Sequence, residues 1–441
     1  MSARLRALVS LPLVACLAAC GAQEEPASPA PPAPAPSAPE PTAPAPEPAA
    51  ALPQPDDMAK GLVLALAQFV KKEGKPVPGP ARLEFLYREG GAWKAAAIED
   101  PESNVFHKAM VYDGLGRPQL LTMAGTAAIV KTWEKQGADL QATSHWQKDF
   151  GGKWSRMRDA EFADLFGDGQ LSIAVATHDQ GVVAVLRPDG ESFSVTEIDE
   201  KPETFVHEIE IGDLDGDGVL EVYATPSDPN RLDGSVQRGE VVRYVPKTGE
   251  GRVTVADLGD RHAKEILVED VDGDGRDELY VSVEGHLGGA DGKTLIHGVE
   301  IRRFDADTPP DQGAVVGRID DRLTRFLTAG DLDGDGKKEM VAAAFSSGLW
   351  LLRPGSDPRA EWQMESIDRD SAGFEHASII TDLDGDGVDE LYVASDRHKE
   401  LRRYRWDGSK LVRDTIYTRP DDRPIFTWNL MPVSVELIPA G

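Results

Sequence analysis

The sequence contains almost no cysteine and relatively few basic residues. Cys16 and Cys20 are its two cysteines, so disulfide bonds cannot stabilise the remainder of the 441-residue chain. Lys and Arg number 47 against 76 Asp and Glu, and the formal net charge is −29. Because like charges repel, this excess of acid argues against nucleic acid or anionic lipid as a partner. It favours bound cations.

The short motifs of common catalytic sites are also missing. The sequence has no nucleophile elbow, no HExxH, no P-loop and no CxxC, and its nine histidines are scattered. We therefore expect a binding role and predict no catalytic residue. A calcium-dependent enzyme acting on acidic polysaccharide is the alternative, because fold alone does not exclude catalysis.

The N-terminus has the pattern of an export signal. Arg4 and Arg6 precede an apolar run over residues 8–19, which is too short to span a bilayer as a permanent helix. The run ends in LAACG, which resembles the lipobox of bacterial lipoproteins. That resemblance implies removal of residues 1–19, acylation of Cys20, and a lipid-anchored protein at the outer membrane or cell surface. An ordinary secretory signal is the alternative.

Residues 20–56 combine this cysteine with a segment made almost wholly of Pro, Ala, Ser and Glu. Nothing in it is large enough to form a core. Pro-rich chain favours an extended polyproline II conformation at about 3.1 Å per residue, so the segment could hold residues 57–441 up to roughly 100 Å from the anchor. We interpret it as a disordered linker and residues 57–441 as one domain.

An internal repeat organises residues 57–441. Four segments align without gaps: DLDGDGVLEVYAT from position 213, DVDGDGRDELYVS from 270, DLDGDGKKEMVAA from 331 and DLDGDGVDELYVA from 382. Weaker copies begin at positions 164 and 111, and successive copies start 49 to 61 residues apart. This spacing fits one four-stranded blade plus its loops.

Each repeat has a short apolar run before the acidic segment and three alternating runs after it. Four antiparallel strands per repeat predict an all-β propeller, with a linear solenoid as the alternative. The early segment LEFLYREGGAWKAAAIED resembles two outer strands, and the C-terminal IFTWNLMPVSVELI could supply the inner part of that blade. We therefore predict seven blades, closed by both termini, with six as the alternative. Residues 58–72 are compatible with either a helix or a strand.

The acidic segments predict metal sites. Carboxylates occupy positions 1, 3, 5 and 9 of each intact copy, glycines separate them, and the backbone carbonyl of position 7 can join. Hard oxygen donors without His or Cys favour calcium, so we expect about four ions. The predicted ligands, in chain order, are Asp213, Asp215, Asp217, Val219, Glu221, Asp270, Asp272, Asp274, Arg276, Glu278, Asp331, Asp333, Asp335, Lys337, Glu339, Asp382, Asp384, Asp386, Val388 and Glu390.

Two other families with the same acidic core are excluded by context. EF-hands need flanking helices and a Glu at position 12, and dockerin-type repeats need helices and a shorter period. The chain instead resembles the FG-GAP/VCBS repeats of integrin α-subunit propellers and bacterial surface proteins. This resemblance implies that the four loops bind calcium as structural cross-links.

The two weak copies lack ligands. In the copy at 164, Phe166 and Ser172 replace the acids of positions 3 and 9, which leaves Asp164 and Asp168. In the copy at 111, only Asp113 and Gln119 are in ligand register. We expect no ion at the copy at 111 and do not favour one at the copy at 164.

A basic column lies six residues before the motif. It consists of Arg158, His207, Lys264, Arg325 and His376. The copy at 111 has Val105 there, with His107 and Lys108 close by. This position begins the innermost strand of a blade, so the side chains could ring one mouth of the central channel, opposite the acidic loops.

The column has two interpretations. It could bind an anionic group of a protein or glycan partner, or each base could pair with a neighbouring acid such as Asp159, Glu208 or Glu265. An enzyme would need a base beside this ring, for instance Lys264 or His207. A role as a subunit of an envelope complex is also open, and we expect the chain itself to be a monomer.

Overall fold

The computed structural model describes residues 57–125, 128–150, 155–177, 180–228, 237–289, 293–420 and 423–440. The predicted signal peptide, Cys20 and the predicted linker lie outside these residues. In the described part, almost all regular structure is β-strand, with two short 3-10 helices at Asp396–His398 and Val435–Leu437. No helix of the described residues is long and apolar enough to cross a membrane.

The strands, numbered β1 to β31 along the chain, form seven antiparallel blades and one small hairpin. The chain begins with β1 (Lys60–Lys72), β2 (Lys75–Pro78), β3 (Ala81–Glu89) and β4 (Ala92–Asp100). Blade 1 contains β5 (Val105–Tyr112), β6 (Gln119–Gly125), β7 (Ala128–Gln136) and β8 (Asp139–Lys148). Blade 2 contains β9 (Met157–Ala163), β10 (Ser172–Thr177), β11 (Val182–Asp189) and β12 (Ser192–Glu200). Blade 3 contains β13 (Phe205–Gly212), β14 (Glu221–Ser227), β15 (Glu240–Val245) and β16 (Glu250–Asp257).

The second half of the ring follows the same plan. Blade 4 contains β17 (Ala263–Glu269), β18 (Glu278–Val283), β21 (Val299–Phe304) and β22 (Ala314–Ile319), with the hairpin β19 (His286–Gly288) and β20 (Thr294–His297) inserted. Blade 5 contains β23 (Thr324–Gly330), β24 (Glu339–Ala344), β25 (Leu349–Arg353) and β26 (Gln363–Asp368). Blade 6 contains β27 (Ser378–Thr381), β28 (Glu390–Ser395), β29 (Glu400–Trp406) and β30 (Leu411–Thr418). The last strand is β31 (Ile425–Ser434).

Blade 7 is built from both ends of the chain, which confirms the predicted seven-bladed closure. β31 is its innermost strand and pairs antiparallel with β1, from Lys60 opposite Ser434 to Gln68 opposite Ile425. β3 and β4 complete the blade. Residues 58–72 are therefore mainly strand. The run from Gly61 to Phe69 is buried throughout because β1 lies between two strands and between two neighbouring blades.

The apolar core is divided among the blade interfaces. Seven buried clusters are found among the described residues, and each combines side chains from two neighbouring blades. The clusters on either side of blade 7 join it to blades 1 and 6. Since each sheet covers its neighbour, burial of this surface closes the ring without a disulfide bond.

The two faces of the ring carry different connections. The loops between first and second strands, which contain the acidic motifs, lie on what we call the loop face. The connections between second and third strands and those from blade to blade lie on the opposite mouth face. The hairpin β19–β20 interrupts the second-to-third connection of blade 4, so this insertion belongs to the mouth face.

Candidate metal loops and channel mouth

Each intact acidic loop is shaped by its own carboxylates. In the loop of blade 4, Asp270 Oδ1 accepts hydrogen bonds from the N–H groups of Gly273 at 2.7 Å and Asp274 at 3.1 Å. Asp270 Oδ2 accepts from Gly275 N at 2.9 Å. Gly273 and Gly275 have φ of 77° and 88°, a region that side chains with a Cβ rarely adopt. The motif glycines therefore allow the turn that the aspartate organises.

Three or all four of the predicted acidic ligands converge in each intact loop, and Glu221, Asp335 and Asp386 are outside the clusters. In the loop of blade 4, one oxygen from each of the four acids lies within 4.8 Å of the others. Three acids converge in each of the other loops: Asp213, Asp215 and Asp217; Asp331, Asp333 and Glu339; and Asp382, Asp384 and Glu390. Four acidic clusters could thus hold metal ions. The position 7 residues Val219, Arg276, Lys337 and Val388 donate their N–H groups to the position 5 carboxylates.

The glutamate at position 9 is the buried acid of each loop, and in blades 4, 5 and 6 it belongs to the cluster. It is the first residue of the second strand, and its exposed fraction is 2 to 4 % in the four loops. Burial, assisted by nearby aspartates, raises the pKa of Glu278, Glu339 and Glu390 to about 7 and raises that of Glu221. These carboxylates therefore ionise fully near neutral pH only with additional positive charge, which a divalent cation would supply.

An arginine of the third strand provides part of that charge. Arg303 Nη1 lies 2.6 Å from Asp272 Oδ2, and Arg303 Nη2 lies 3.2 Å from Glu278 Oε1. Arg243 and Arg353 contact the position 9 glutamates of blades 3 and 5 in the same manner. Sequence reasoning missed these arginines, although one recurs in the third strand of each blade with an intact loop.

In the weak loop of blade 2, an arginine pairs with one of the two remaining acids. Asp164 still accepts from Asp168 N at 3.0 Å and Gly169 N at 2.8 Å, so the turn is retained. The Asp168 carboxylate, however, pairs with Arg187 at 2.5 Å, and the Arg187 guanidinium lies 4.0 Å from the ring centroid of Phe166. This loop is not among the acidic clusters found in the described residues.

Two intact loops are also tied to the next blade. Asp277 and Asp389, at position 8 of the loops of blades 4 and 6, accept hydrogen bonds from Asp213 N at 2.8 Å and Asp331 N at 2.9 Å. A Cβ on Gly212 would lie 2.9 Å from Asp277 Oδ2 and 2.3 Å from the Val268 side chain. The glycine before the motif therefore allows neighbouring loops to approach closely.

The basic column lies at the mouth face, where the sequence placed it, and its side chains are buried. The exposed fractions are 6 % for Arg158, 1 % for His207, 1 % for Lys264, 4 % for Arg325 and 0 % for His376. Lys264 and His207 are therefore not exposed to a polymer lying across the mouth.

A β-bulge in the innermost strand positions most side chains of the basic column. The register of the innermost strands skips Arg158 in β9, residues 207–208 in β13, 264–265 in β17 and 325–326 in β23. The same bulge skips His107 in β5 and Trp428 in β31. Because a bulge redirects a side chain, His107 and Trp428 take the equivalent places in blades 1 and 7. The gap-free alignment put Val105 in the column with His107 close by, because the loop after β5 is two residues shorter than the loop after β9, and it did not include Trp428.

A buried ion network crosses the mouth. Arg325 Nε lies 2.8 Å from Glu284 Oε1, and Arg325 Nη1 lies 3.1 Å from Glu375 Oε1. Arg158, from the opposite side of the ring, lies 3.3 Å from Glu375 Oε2. Glu375 thus bridges blades 2 and 5, and Arg325 holds the pKa of Glu284 well below its usual range although burial opposes this.

The acids next to the basic column have other partners. Asp159 Oδ2 accepts from Ile209 N at 3.0 Å, and Glu265 Oε1 accepts from Leu327 N at 2.8 Å. Each of these bonds joins one innermost strand to that of the next blade. Burial, followed by repulsion from Asp159 and Glu265, raises the pKa of Glu208 well above its ordinary value.

His376 is held apart from the network. Its ring nitrogens contact Ala344 O at 2.7 Å and Ser371 Oγ at 2.8 Å, and burial lowers its pKa to about 4. Lys264 differs, because its Nζ has no hydrogen-bond acceptor among the described residues. Burial, with repulsion from Arg325 and Arg158, lowers the pKa of Lys264 to about 7 although Glu284 and Glu375 oppose the shift.

Half-buried aromatic rings surround the network on the mouth face of blades 5 to 7. Phe374 lies 6.2 Å from Phe345 and 5.8 Å from Phe426, between ring centroids. Arg322 and Arg397 lie 4.7 and 5.5 Å from the Phe345 ring. Neither arginine has an acidic partner among the described residues. We call these five residues the aromatic platform. Sequence reasoning missed them because Phe426 comes from β31 and the other four from separate connections, without a common spacing.

Similarity to known proteins is found at the level of the fold. No protein-family model and no curated protein matches the sequence. A putative 6-phosphogluconolactonase from Bacteroides fragilis is similar in structure, with a TM-score of 0.50 and 13 % identity over 85 % of this chain and 98 % of that chain. A protein from Lactobacillus plantarum has a TM-score of 0.50 and 11 % identity over 85 % of this chain and 100 % of its own. At these identities the likeness shows the fold alone, a seven-bladed β-propeller.

Proposed function

We propose that this chain is a calcium-stabilised β-propeller of the FG-GAP/VCBS type, lipid-anchored through Cys20 outside the cell, which binds an anionic protein or glycan at its mouth face. The aromatic platform is the observation that carries the binding role. It presents two arginines that have no acidic partner in the described part of the chain, beside half-buried rings, in a protein whose formal net charge is −29. Phenylalanine, like the other aromatic residues, and arginine are enriched at protein interfaces relative to the rest of the surface.

The calcium part rests on the four acidic clusters. Their converging oxygens and lack of His or Cys suit calcium, and the raised pKa of the buried glutamates fits a site that needs a cation. The ions would be held by the acids of positions 1, 3, 5 and 9. Each ion would stabilise the connection between the first and second strands of one blade.

The anchor is tested by Cys20→Ser, which should move the protein from the membrane fraction to the soluble extracytoplasmic fraction. Unchanged retention in membranes would contradict lipidation of Cys20.

The binding role is tested by replacing Arg322 and Arg397 together with Gln. Binding to anionic glycans on an array, or to a partner recovered from membranes, should be lost, while calcium content and thermal stability stay unchanged. Arg318→Gln with Arg359→Gln is the matched control, because those exposed arginines of blades 4 and 5 pair with Glu361 and with Asp305 and Asp307. Equal binding by both double variants would contradict the proposed surface.

A further inference from the structure

Buried hydrogen-bond donors without acceptors gather beneath the mouth. Among the described residues, Lys264 Nζ, Arg325 Nη2 and Trp428 Nε1 are buried and have no hydrogen-bond partner. All three side chains occupy the bulge position of their innermost strands. Leaving a buried donor unsatisfied costs about 1 to 3 kcal/mol, and more when the donor is charged. Three donors around one channel therefore indicate a missing acceptor.

A cavity of about 30 Å³ lies at this point. Its walls include Arg158, Arg325, Phe326 and Trp428, so two of the unsatisfied donors belong to wall residues. A volume of roughly 10 to 15 Å³ suffices for one water-sized particle. The cavity thus has room for a monatomic ion and no room for a sugar or a peptide.

The charges around the cavity favour a negative occupant. Arg158 and Arg325 share the carboxylate of Glu375, and Arg325 also pairs with Glu284, so these two arginines and Lys264 provide three basic groups for two carboxylates. Lys264 lies close enough to both arginines for their charges to disfavour its protonation. Two acids also line the cavity. Asp159 already pairs with Lys108 at 3.1 Å and accepts from Ile209 N, and burial raises the pKa of Glu208 well above its ordinary value, which disfavours its charged form.

We infer that this cavity binds a chloride-sized monoanion, with Arg325 Nη2 and Trp428 Nε1 as direct donors and Lys264 as a supporting cation. The anion satisfies the two wall donors and offsets the repulsion among Arg158, Lys264 and Arg325. It thereby stabilises the contact between the innermost strands of blades 2, 4, 5 and 7. This inference does not require the proposed partner, because the cavity is too small to admit one.

The test uses bromide as a chloride analogue with an anomalous X-ray signal. Crystals of the full chain soaked in bromide should show an anomalous peak within hydrogen-bond distance of Arg325 Nη2 and Trp428 Nε1. In solution, replacing gluconate by chloride at constant ionic strength should raise the melting temperature of the native protein. Trp428→Phe should weaken the apparent chloride affinity at least tenfold, since it removes a donor and keeps a ring.

Trp362→Phe is the matched control. Trp362 is also buried at a blade interface, its Nε1 donates to Pro358 O at 2.8 Å, and it does not line the cavity. Lys264→Met and Lys131→Met form a second pair, because Lys131 is equally buried but bonds to Asp100 at 2.7 Å. Chloride dependence should persist in both controls and weaken in Trp428→Phe and Lys264→Met.

No bromide peak at the cavity, or a chloride effect equal in all four variants, would overturn the inference and leave a water molecule as the occupant. Neither result bears on the proposed function, which is tested by partner binding in the Arg322 and Arg397 double variant. Loss of partner binding in the Arg322 and Arg397 double variant with an unchanged bromide peak would show the two sites to be separate.

Discussion

The two ends of strand β18 hold buried glutamates in opposite electrostatic states. Glu278 begins the strand at the loop face, where burial and the neighbouring aspartates raise its pKa to about 7 even though Arg303 lies beside it. Glu284 follows the strand at the mouth face, where Arg325, Lys264 and His262 hold its pKa well below its usual range against the effect of burial. Burial is the largest influence at both ends, so the surrounding charge decides the outcome.

The difference shows what each face needs. At the mouth face, Glu284 and Glu375 pair with arginines of other blades and act as links within the ring, whereas burial and neighbouring acids raise the pKa of Glu208 and Glu265 there. The loop face gathers three or four carboxylates around one or two guanidinium nitrogens, so part of the negative charge has no counter-charge among the described residues. Blade 2 supports this view, because its loop has lost two acids and Arg187 alone pairs with Asp168.

Removing calcium should have the largest effect. At calcium concentrations ten to a hundred times the dissociation constant, each site contributes roughly 1.4 to 2.7 kcal/mol, and four sites act together. We expect EDTA to lower the melting temperature markedly and excess calcium to restore it. Calorimetry with and without EDTA measures the effect, with magnesium added back as a control. Elemental analysis that finds no calcium in folded protein would refute the loop sites.

Breaking the mouth network should have the next largest effect. Glu375→Gln leaves Arg158 and Arg325 without their shared carboxylate, and breaking a buried pair costs about 3 to 5 kcal/mol. This exceeds what exposed pairs contribute, because both guanidinium groups are buried. Urea unfolding in saturating calcium measures the change.

Glu361→Gln is the control for that variant. Glu361 pairs with Arg318, and both side chains are more than half exposed, so the expected loss is at most about 1 kcal/mol. Similar losses in the two variants would show that the mouth network contributes no more than a surface pair.

Removing a single predicted loop ligand should lower the calcium content only when the ligand belongs to an intact loop and not to a weak one. Asp215→Ala should remove one calcium ion of about four and roughly 1.4 to 2.7 kcal/mol of calcium-dependent stability, because Asp215 belongs to a converging cluster. Asp384→Ala should do the same in blade 6. Asp168→Ala and Asp113→Ala should remove none. Calcium content per chain, measured after dialysis, checks all four variants, and a lost ion in Asp168→Ala would show that blade 2 also binds metal.

Much of this architecture could be predicted from the repeat, because the acidic motif marks the turn between the first two strands of every blade that carries it. The terminal segments allowed the seventh blade to be predicted, since LEFLYRE and IFTWNLMPVS each have strand character. Residues 58–72 could not be assigned from their pattern, because a strand buried on both faces shows no alternation.

The mouth was only partly predictable. The basic column was visible because five bases share one spacing, yet their partners Glu284 and Glu375 belong to a strand connection and a blade connection with no common spacing. His107 was displaced from the column because the loop after β5 is two residues shorter than the loops of the other motif copies, and Trp428 was missed because no acidic motif follows β31. Contacts across the channel join residues as distant in sequence as Arg158 and Glu375, and local sequence patterns do not indicate such contacts.

The smallest predicted effect concerns the pH dependence contributed by Lys264. Its folded-state pKa of about 7 lies below the ordinary value of 10.5, so between these values the unfolded chain binds more protons than the folded one. Stability must then rise with pH through this window, and the cost of burying the charged amine is fully present below pH 7. Lys264→Met removes the titration.

The native protein should therefore gain stability relative to Lys264→Met by about 1 kcal/mol between pH 7 and pH 8, in saturating calcium with gluconate as counter-ion. Saturating calcium keeps the loop glutamates ionised, and gluconate is too large for the channel cavity. Lys131→Met, which removes a buried lysine bonded to Asp100, should show no such gain. A flat difference between native protein and Lys264→Met over this range would mean that Glu284 and Glu375 keep the amine charged, and the mouth network would then hold three cations on two carboxylates.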